Sequence, residues 1–374
     1  MGVFRITHAG KFIDGVNYQL HYGYDFGEHN SAPGMGLHYE ERLEQVRKDF
    51  SMLAASGVHS VRMNVFTDGR AGIIFDDEGR ALGVQDSVAR GLLNVLHVAD
   101  DNNIVASLVM LDHTFAERTE RLDRKRPEIG AKQGHGRLLM TEAGRNELLN
   151  NVFNPLLQEL GKEKPASLLS IELVNEPESL IEGLSTDTNM PGLLPAADLG
   201  KFKAYIRTFR DLVHQETGMQ FTVGSLALKH ADMWLDVLDP GCDYLSIHYY
   251  GQNNDPPFHA LYDENAGAEP LKTVKGLQKK IPIVWGEYAA NGSSEFVNRR
   301  FPQGFSKACQ FLEDALNNHV KGAYAWAVRS GTGDWGDSFG PVPLEQHRKF
   351  TALHAHRIEF AGALPPSPSA PGRA

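Results

Sequence analysis

Two glutamates stand where short hydrophobic segments end, and such a pair can supply acid, base and nucleophilic chemistry. The stretch SIELVNEPES at residues 170–179 reads as a buried strand, yet it ends on Glu176 and on Pro177, which cannot continue a strand. The segment IPIVWGEY at residues 281–288 carries Glu287 near its end. Because a buried unpaired carboxylate is costly, each side chain either lies at a water-filled mouth or takes part in a reaction.

Other polar groups stand at or near the ends of similar segments. They are an amide, imidazoles, a phenol, an indole and a guanidinium: Asn175, His113, His248, Tyr250, Trp326 and Arg62. Two carboxyl groups among such side chains can bind a polyhydroxylated ring and act on it as acid, base or nucleophile. Glu172 shares strand parity with Glu176, so we expect a structural role for it inside the fold, paired with a cation. Arg62 is a candidate for that cation, or for supporting the reacting carboxylates.

The segments that position these residues alternate with helical patterns. Eight short apolar stretches read as strands: residues 12–18, 60–66, 104–111, 168–175, 220–227, 243–250, 281–288 and 322–329. This pattern predicts an α/β protein, a single (β/α)8 TIM barrel with extended βα loops spanning residues 1–360. The tail, residues 361–374, is rich in Pro, Ser and Ala and is predicted to be disordered. Barrel strands end at one face, so the polar residues should converge there.

A doubly wound sheet is the alternative fold, and it favours a Gly-rich phosphate loop after the first strand. No such loop follows residues 12–18. The stretch GTGDWG at residues 331–336 matches G-x-G-x-x-G, but it follows the last predicted strand and opens no helix. We therefore expect no dinucleotide and no other cofactor.

Composition limits the classes of partner. The 374 residues carry a formal net charge of -10, which argues against a nucleic-acid partner, and no apolar stretch is long enough to span a membrane. Cys242 and Cys309 are expected to be free thiols, and no His/Cys spacing predicts a metal. We expect a monomer. It is cytoplasmic as the sequence stands, or secreted if a signal peptide has been removed.

The same residues resemble glycoside hydrolase family 5, within the clan of retaining glycosidases that carry catalytic glutamates on strands four and seven. Asn-Glu-Pro ends strand four, Trp-Gly-Glu lies near the end of strand seven, and GKFIDGVNY is similar to the first strand of the family. The supporting residues follow in chain order on the expected strands: Arg62, His113, Asn175, His248, Tyr250 and Trp326. The resemblance covers residues from about 10 to 357.

The resemblance implies a role for each residue. Glu176 would be the general acid and then the base, and Glu287 the nucleophile, with the two carboxyl groups about 5–5.5 Å apart. Asn175 would bond the sugar 2-hydroxyl, Tyr250 would donate to Glu287, and Arg62 would support Glu287 electrostatically. The remaining residues would contact the sugar in the cleavage subsite, with stacking by the indole: His113, His248 and Trp326.

Loop residues suggest contacts beyond the cleavage point. Trp335, Phe339 and Tyr24 lie after the last and first strands and are candidate outer subsites, although ordinary loop packing also explains them. Residues 117–137 form a long, net-basic loop after strand three. It either contacts an acidic or substituted polysaccharide or is a solvated loop.

We therefore predict a retaining β-glycosidase of the family 5 type that hydrolyses an oligosaccharide or polysaccharide: a β-linked glucan, a mannan or a bacterial exopolysaccharide. The alternative is a carbohydrate-binding barrel without catalysis, although the presence of both glutamates counts against it. An aldolase would need a strand-end lysine, and none of the eight strands contains one.

Overall fold

The structure is a computed structural model that describes residues 6, 11–19, 25–28, 34, 36–116, 135–184, 194–250, 273–289, 308–329 and 344–359. Ten strands occur in this part of the chain: β1 Ile13–Gln19, β2 Ser60–Thr67, β3 Ile73–Phe75, β4 Ala81–Val84, β5 Val105–Asp112, β6 Leu168–Asn175, β7 Gln220–Ser225, β8 Tyr244–Tyr249, β9 Ile283–Ala289 and β10 Gly322–Arg329.

Eight of these strands form a closed parallel barrel. The order around it is β1, β10, β9, β8, β7, β6, β5, β2, and β1 closes the ring by pairing with both β10 and β2. The predicted (β/α)8 fold is confirmed, and the predicted strands lie within two residues of the observed ones at each end. β3 and β4 form a separate antiparallel hairpin after β2, which the sequence analysis did not predict.

Ten α-helices surround or flank the barrel among the described residues. They are α1 Glu40–Ala55, α2 Asp86–Asp101, α3 Gly136–Met140, α4 Glu142–Glu147, α5 Asn154–Glu163, α6 Leu199–Thr217, α7 Leu228–Ala231, α8 Val274–Gln278, α9 Ala308–Asn317 and α10 Leu344–His354. α1 buries Leu43, Val46, Phe50 and Leu53, which form an apolar stripe at helical spacing.

One helical region is irregular at the position that the sequence indicated. The apolar spacing of residues 141–160 predicts one helix, and Pro155 predicts a kink within it. The structure has a π-helical segment, Leu148–Phe153, between α4 and α5. Proline has no backbone N–H to donate to the preceding turn, which suits a local widening there.

The barrel interior is polar at mid-height. The hydroxyls of Ser60 and Tyr324 lie 2.6 Å apart, and Ser170 joins Ser107 and Tyr244 at 2.8 and 2.7 Å. These groups satisfy one another, so the polar layer costs little and leaves the space above it for the charged residues.

Contacts outside the barrel tie the C-terminal part of the chain to the first strand. The backbone N–H of Phe12 donates to Arg357, and the N–H of Glu359 donates to Phe12. No helix in the described part of the chain is long and apolar enough to cross a membrane. Cys242 and Cys309 form no disulfide with each other, as predicted. Residues 360–374, including the predicted tail, lie outside the described residues.

Candidate active site

The two predicted glutamates face each other at the mouth of the barrel. Glu176 follows the last residue of β6, and Glu287 is the fifth residue of β9. One carboxylate oxygen of each, together with one imidazole nitrogen of His248, lie within 4.8 Å of one another. The sequence separates the two glutamates by more than one hundred residues, and the barrel closure brings them together.

Arg62 connects the barrel interior to Glu287. Its Nη1 donates to Oε1 of Glu287 and to Oδ1 of Asn17, both at 2.9 Å. Its Nη2 donates to Asn175 at 2.7 Å and to Glu172 at 3.0 Å, and its Nε donates to Glu172 at 3.3 Å. These contacts use all five N–H groups of the guanidinium. Arg62 therefore contacts both Glu172 and Glu287, the two partners that the sequence left open.

The charges around Arg62 are balanced by close contacts. Burial opposes the charge of Arg62, but Glu172 and Glu287 hold its pKa above the ordinary value. Burial raises the pKa of Glu172 to about 6, against the effect of Arg62. The prediction that Glu172 faces the interior and pairs with a cation is confirmed.

The carboxylate of Glu287 accepts hydrogen bonds from more than one side chain. Besides Arg62, the hydroxyl of Tyr250 donates to its Oε2 at 2.5 Å, as predicted, and Nδ1 of His248 lies 3.5 Å from the same oxygen. Burial raises the pKa of Glu287, and His248, Arg62 and Tyr250 oppose that rise. These three neighbours all favour the ionised carboxylate.

Glu176 has an unusual backbone and fewer donors. Its φ of 52° and ψ of 56° lie in the left-handed region, which costs a residue with a Cβ roughly 1–2 kcal/mol. Its N–H donates to the carbonyl of Gly224 at 2.9 Å, which holds this conformation. Burial raises the pKa of Glu176 to about 7, Asp112 adds to that rise, and His113 and Arg62 oppose it.

His248 lies between the two glutamates. Its Nδ1 is 2.7 Å from Oε1 of Glu176, and its side chain has no exposed surface. Burial lowers the pKa of His248 to about 4, so the ring is neutral near pH 7. Since an ionised Glu287 also faces Nδ1, we assign the ring proton to Nδ1, which then donates to Glu176. The predicted contact of His248 with a sugar stays a prediction, and the observed contacts are with the carboxylates.

Two glycines allow these side chains to approach. A Cβ on Gly224 would lie 2.3 Å from Oε1 of Glu172, and a Cβ on Gly286 would lie 2.0 Å from Oγ of Ser246. Both positions therefore require glycine for space rather than for an unusual φ.

The other predicted residues fall into two groups. His113 follows β5, with its Nδ1 3.7 Å from Oε2 of Glu176, and Trp326 is half-buried on β10, whose register places it beside Ala289, two residues beyond Glu287. The candidate outer-subsite residues Trp335, Phe339 and Tyr24 lie outside the described residues. So does the basic loop from residue 117 to 134.

Two residues of the site were not predicted. Asn17 donates from Nδ2 to the carbonyl of Gly286 at 2.9 Å and accepts from Arg62. Asp112 accepts from Nδ2 of Asn175 at 2.9 Å. Asn17 stands on the first predicted strand, and Asp112 directly follows the third. In each case the sequence signal is a polar side chain inside or next to an apolar run.

Two groups of side chains in the described part of the chain could hold a metal ion. One is the set Glu176, His248 and Glu287, and the other is His214, Cys242 and Asp243. Asp243 already accepts from the N–H of Phe221 and lies 2.8 Å from Nε2 of His214. The prediction of a metal-free protein stays a prediction.

Comparisons with solved structures support this arrangement at the level of the fold. The chain is similar to the endo-1,4-β-mannanase from Eisenia fetida, with a TM-score of 0.65 and 17% identity over 92% of this chain and 91% of that chain. The chain is also similar to a β-1,4-D-mannanase from Cryptopygus antarcticus, with a TM-score of 0.61 and 19% identity over 92% of this chain and 90% of that chain. For a GH5-4 broad specificity endoglucanase from an uncultured bacterium, the TM-score is 0.57 and the identity is 14%, over 93% of this chain and 96% of that chain.

No protein-family model and no curated protein matches the sequence. Identities of 14–19% show a shared fold and no more. The resemblance to glycoside hydrolase family 5 is therefore confirmed at the level of the fold, a (β/α)8 barrel.

Proposed function

We propose that this chain is a glycosidase that hydrolyses β-linked glycans with retention of configuration. The observation that carries the proposal is the short distance between Glu176 and Glu287, whose nearest oxygens lie within 4.8 Å across the barrel mouth. Retaining enzymes hold their carboxyl groups about 5–5.5 Å apart, whereas inverting enzymes leave roughly 6.5–9.5 Å for a water molecule.

In the first step Glu287 attacks the anomeric carbon while Glu176 gives its proton to the glycosidic oxygen. The bond between that carbon and oxygen breaks, and the leaving sugar departs as an alcohol. The products on the protein are an ester between Glu287 and the sugar, and an ionised Glu176.

In the second step Glu176 acts as a base. It takes a proton from a water molecule, whose oxygen attacks the anomeric carbon and displaces Glu287. Two inversions give net retention, and both carboxyl groups return to their initial protonation states.

The unequal environments of the two glutamates support this division of roles. Burial raises the pKa of both, but Arg62 and Tyr250 donate to Glu287, whereas His248 is the hydrogen-bonding partner of Glu176 among the described residues. The coupled pair therefore loses its first proton from Glu287. The remaining proton of the pair then lies on Glu176, where the first step requires it.

The substrate proposal follows from the fold relatives. Their names include β-1,4-mannanases and endoglucanases, so we propose a β-1,4-linked mannan or glucan as the first polymers to examine. Asn175 would bond the 2-hydroxyl of the sugar beside the scissile bond, and Trp326 would stack on that ring. A bacterial exopolysaccharide remains a further candidate substrate.

The experiment is product analysis by mass spectrometry on β-mannans, β-glucans and bacterial exopolysaccharides, with wild type and Glu287→Gln. We expect wild type to release oligosaccharides and Glu287→Gln to lose roughly 10³-fold or more in kcat, because the nucleophile is gone. The control is Glu163→Gln, which neutralises an exposed glutamate at the C-terminal end of α5 and should keep its activity.

Residual activity of Glu287→Gln above a tenth of wild type would contradict the assignment of the nucleophile. Glycan binding by wild type without any product would instead favour the carbohydrate-binding barrel without catalysis.

A further inference from the structure

A third carboxylate, Asp112, belongs to the site. It is the last residue of β5, it is buried, and it pairs in register with Asn175 on β6. Its Oδ2 accepts from Nδ2 of Asn175 at 2.9 Å, and its Oδ1 accepts from the backbone N–H of Thr114 at 2.9 Å. Nδ1 of His113 lies 3.4 Å from the same Oδ1. Asp112 therefore joins the turn after β5 to the residue that precedes Glu176.

Asp112 and Arg62 together allow the side-chain amide of Asn175 only one orientation. Arg62 can only donate, so it requires the amide oxygen, and it meets Oδ1 of Asn175 at 2.7 Å. The ionised Asp112 can only accept, so it requires the amide nitrogen. One N–H of Nδ2 is used by Asp112, and the second N–H remains for a substrate hydroxyl.

Asp112 also contributes charge next to Glu176. Burial opposes its ionisation, but His113, Thr114 and Asn175 hold the pKa of Asp112 below its ordinary value. The titratable and charged groups that face Glu176 come from five barrel strands and the turn after β5: Asp112, His113, Arg62, Glu172, His248 and Glu287. Among them, the anionic carboxylates disfavour a second negative charge on Glu176, and Asp112 offsets the opposite effect of Arg62.

We infer that Asp112 is a positioning residue of the proposed reaction: it fixes the amide of Asn175 toward the sugar 2-hydroxyl, and its negative charge keeps the acid Glu176 protonated. The inference rests on the proposed function for its catalytic part. The effect of Asp112 on the protonation of Glu176 concerns the protein without substrate and does not depend on the proposed function.

The substitution Asp112→Asn tests both parts because it cannot satisfy its neighbours. With its oxygen toward Thr114, the new amide nitrogen faces Nδ2 of Asn175, and two donors oppose each other. With its oxygen toward Asn175, the nitrogen faces the N–H of Thr114 instead. Asp112→Ala is the second variant, since it removes the charge without adding a donor.

The matched control is Asp243→Asn. Asp243 is a buried aspartate that precedes β8, at the opposite end of the barrel, and it accepts from the N–H groups of Phe221 and Asp239. It measures the cost of replacing a buried, hydrogen-bonded aspartate far from the glutamates.

Two readouts are needed. The first is kcat and KM against pH on the polymer that wild type cleaves. The second is a ¹³C NMR titration of the glutamate side-chain carboxyl groups without substrate, with Glu176→Gln identifying the signal of Glu176.

For either Asp112 variant we expect kcat to fall by up to about 10²-fold with little change in KM, because the bond to the 2-hydroxyl strengthens in the transition state. The alkaline limb of the pH profile and the NMR pKa of Glu176 should both move down by roughly one unit. The control should show neither change.

An unshifted pKa of Glu176 in both variants, or a loss of kcat no larger than that of Asp243→Asn, would overturn the inference. Failure of both Asp112 variants to fold would overturn it too, because Asp112 would then serve the fold. If wild type cleaves no glycan, the proposed function fails, and the NMR titration still decides whether Asp112 acts on Glu176.

Discussion

The guanidinium of Arg62 ties the proposed nucleophile to the interior of the barrel. Its five N–H groups are shared among Glu287, Glu172, Asn17 and Asn175, so each of these side chains is positioned relative to the others. Removing one partner of such a buried network leaves an uncompensated charge, which typically costs 3–5 kcal/mol. The proposed nucleophile Glu287 is therefore held by the same guanidinium as Glu172 in the barrel interior.

Tyr250 gives a prediction at this scale. Tyr250→Phe removes the 2.5 Å hydrogen bond to Oε2 of Glu287 and so raises the pKa of that carboxyl group. Because Glu287 must be ionised to attack, the acid limb of kcat/KM should move to higher pH by roughly one unit. The measurement is the pH profile of kcat/KM for both proteins. An acid limb at the wild-type position would show that Tyr250 does not set the ionisation of Glu287.

Most of the polar groups at the barrel mouth could be predicted from the sequence. Glu176 and Glu287 could be predicted because carboxylates at strand ends are conspicuous. The predicted contact of His248 with the sugar stays a prediction, and its burial against both glutamates was not predicted. The spacing of residues along one strand shows which of them lie on the same face of the sheet. It does not show how deeply a side chain is buried in the barrel. Asp112 and Asn17 were missed because their partners stand on other strands, and only the pairing register shows them.

At the scale of the elements, the strands were predictable and the hairpin was not. The barrel strands are continuous apolar runs bounded by turn signals, which is the pattern of strands that helices cover. The hairpin of β3 and β4 has strands of three and four residues, too short for any periodicity to be distinguished. Its position after β2 could only be seen in the folded chain.

Close packing of two strands gives a second prediction. Gly224→Ala on β7 should destabilise the protein by about 1–3 kcal/mol and lower kcat at least roughly tenfold. The new Cβ would lie 2.3 Å from Oε1 of Glu172 and 3.1 Å from Nη2 of Arg62, so both must move, and Glu287 with them. Chemical unfolding and kinetics measure the two effects.

The control for this substitution is Gly200→Ala in the first turn of α6. No atom lies within 4 Å of a Cβ there, so alanine should be neutral or stabilising by up to about 1 kcal/mol. Equal stability and activity of the two variants would contradict the packing argument.

At the scale of the whole molecule, the C-terminal segment stabilises the start of the barrel. α10 packs on β1 through a buried pair in which Nδ1 of His347 lies 2.8 Å from Oδ1 of Asp14, and Phe350 packs edge-on against Phe12. Burial raises the pKa of Asp14, against the effect of His347. This contact lies at the opposite end of the strands from the glutamates.

We therefore expect His347→Ala to lower the free energy of unfolding by about 2–4 kcal/mol, because it leaves Asp14 buried without its partner. The pH profile of kcat/KM should stay unchanged at temperatures where the variant is folded. The control, His356→Ala, removes an exposed side chain and should change stability by less than about 0.5 kcal/mol. Denaturant unfolding at fixed pH checks both, and equal stabilities would contradict this role of the pair.

Retention of configuration through Glu287 can be tested by ¹H NMR of the anomeric protons of the products. Wild-type protein is added to a β-1,4-linked manno- or gluco-oligosaccharide, whichever it cleaves, and spectra are taken before mutarotation equilibrates the products. We predict that the new reducing end appears first as the β-anomer, because two displacements restore the configuration. First appearance of the α-anomer would indicate a single displacement by water and would exclude Glu287 as the nucleophile of a double displacement.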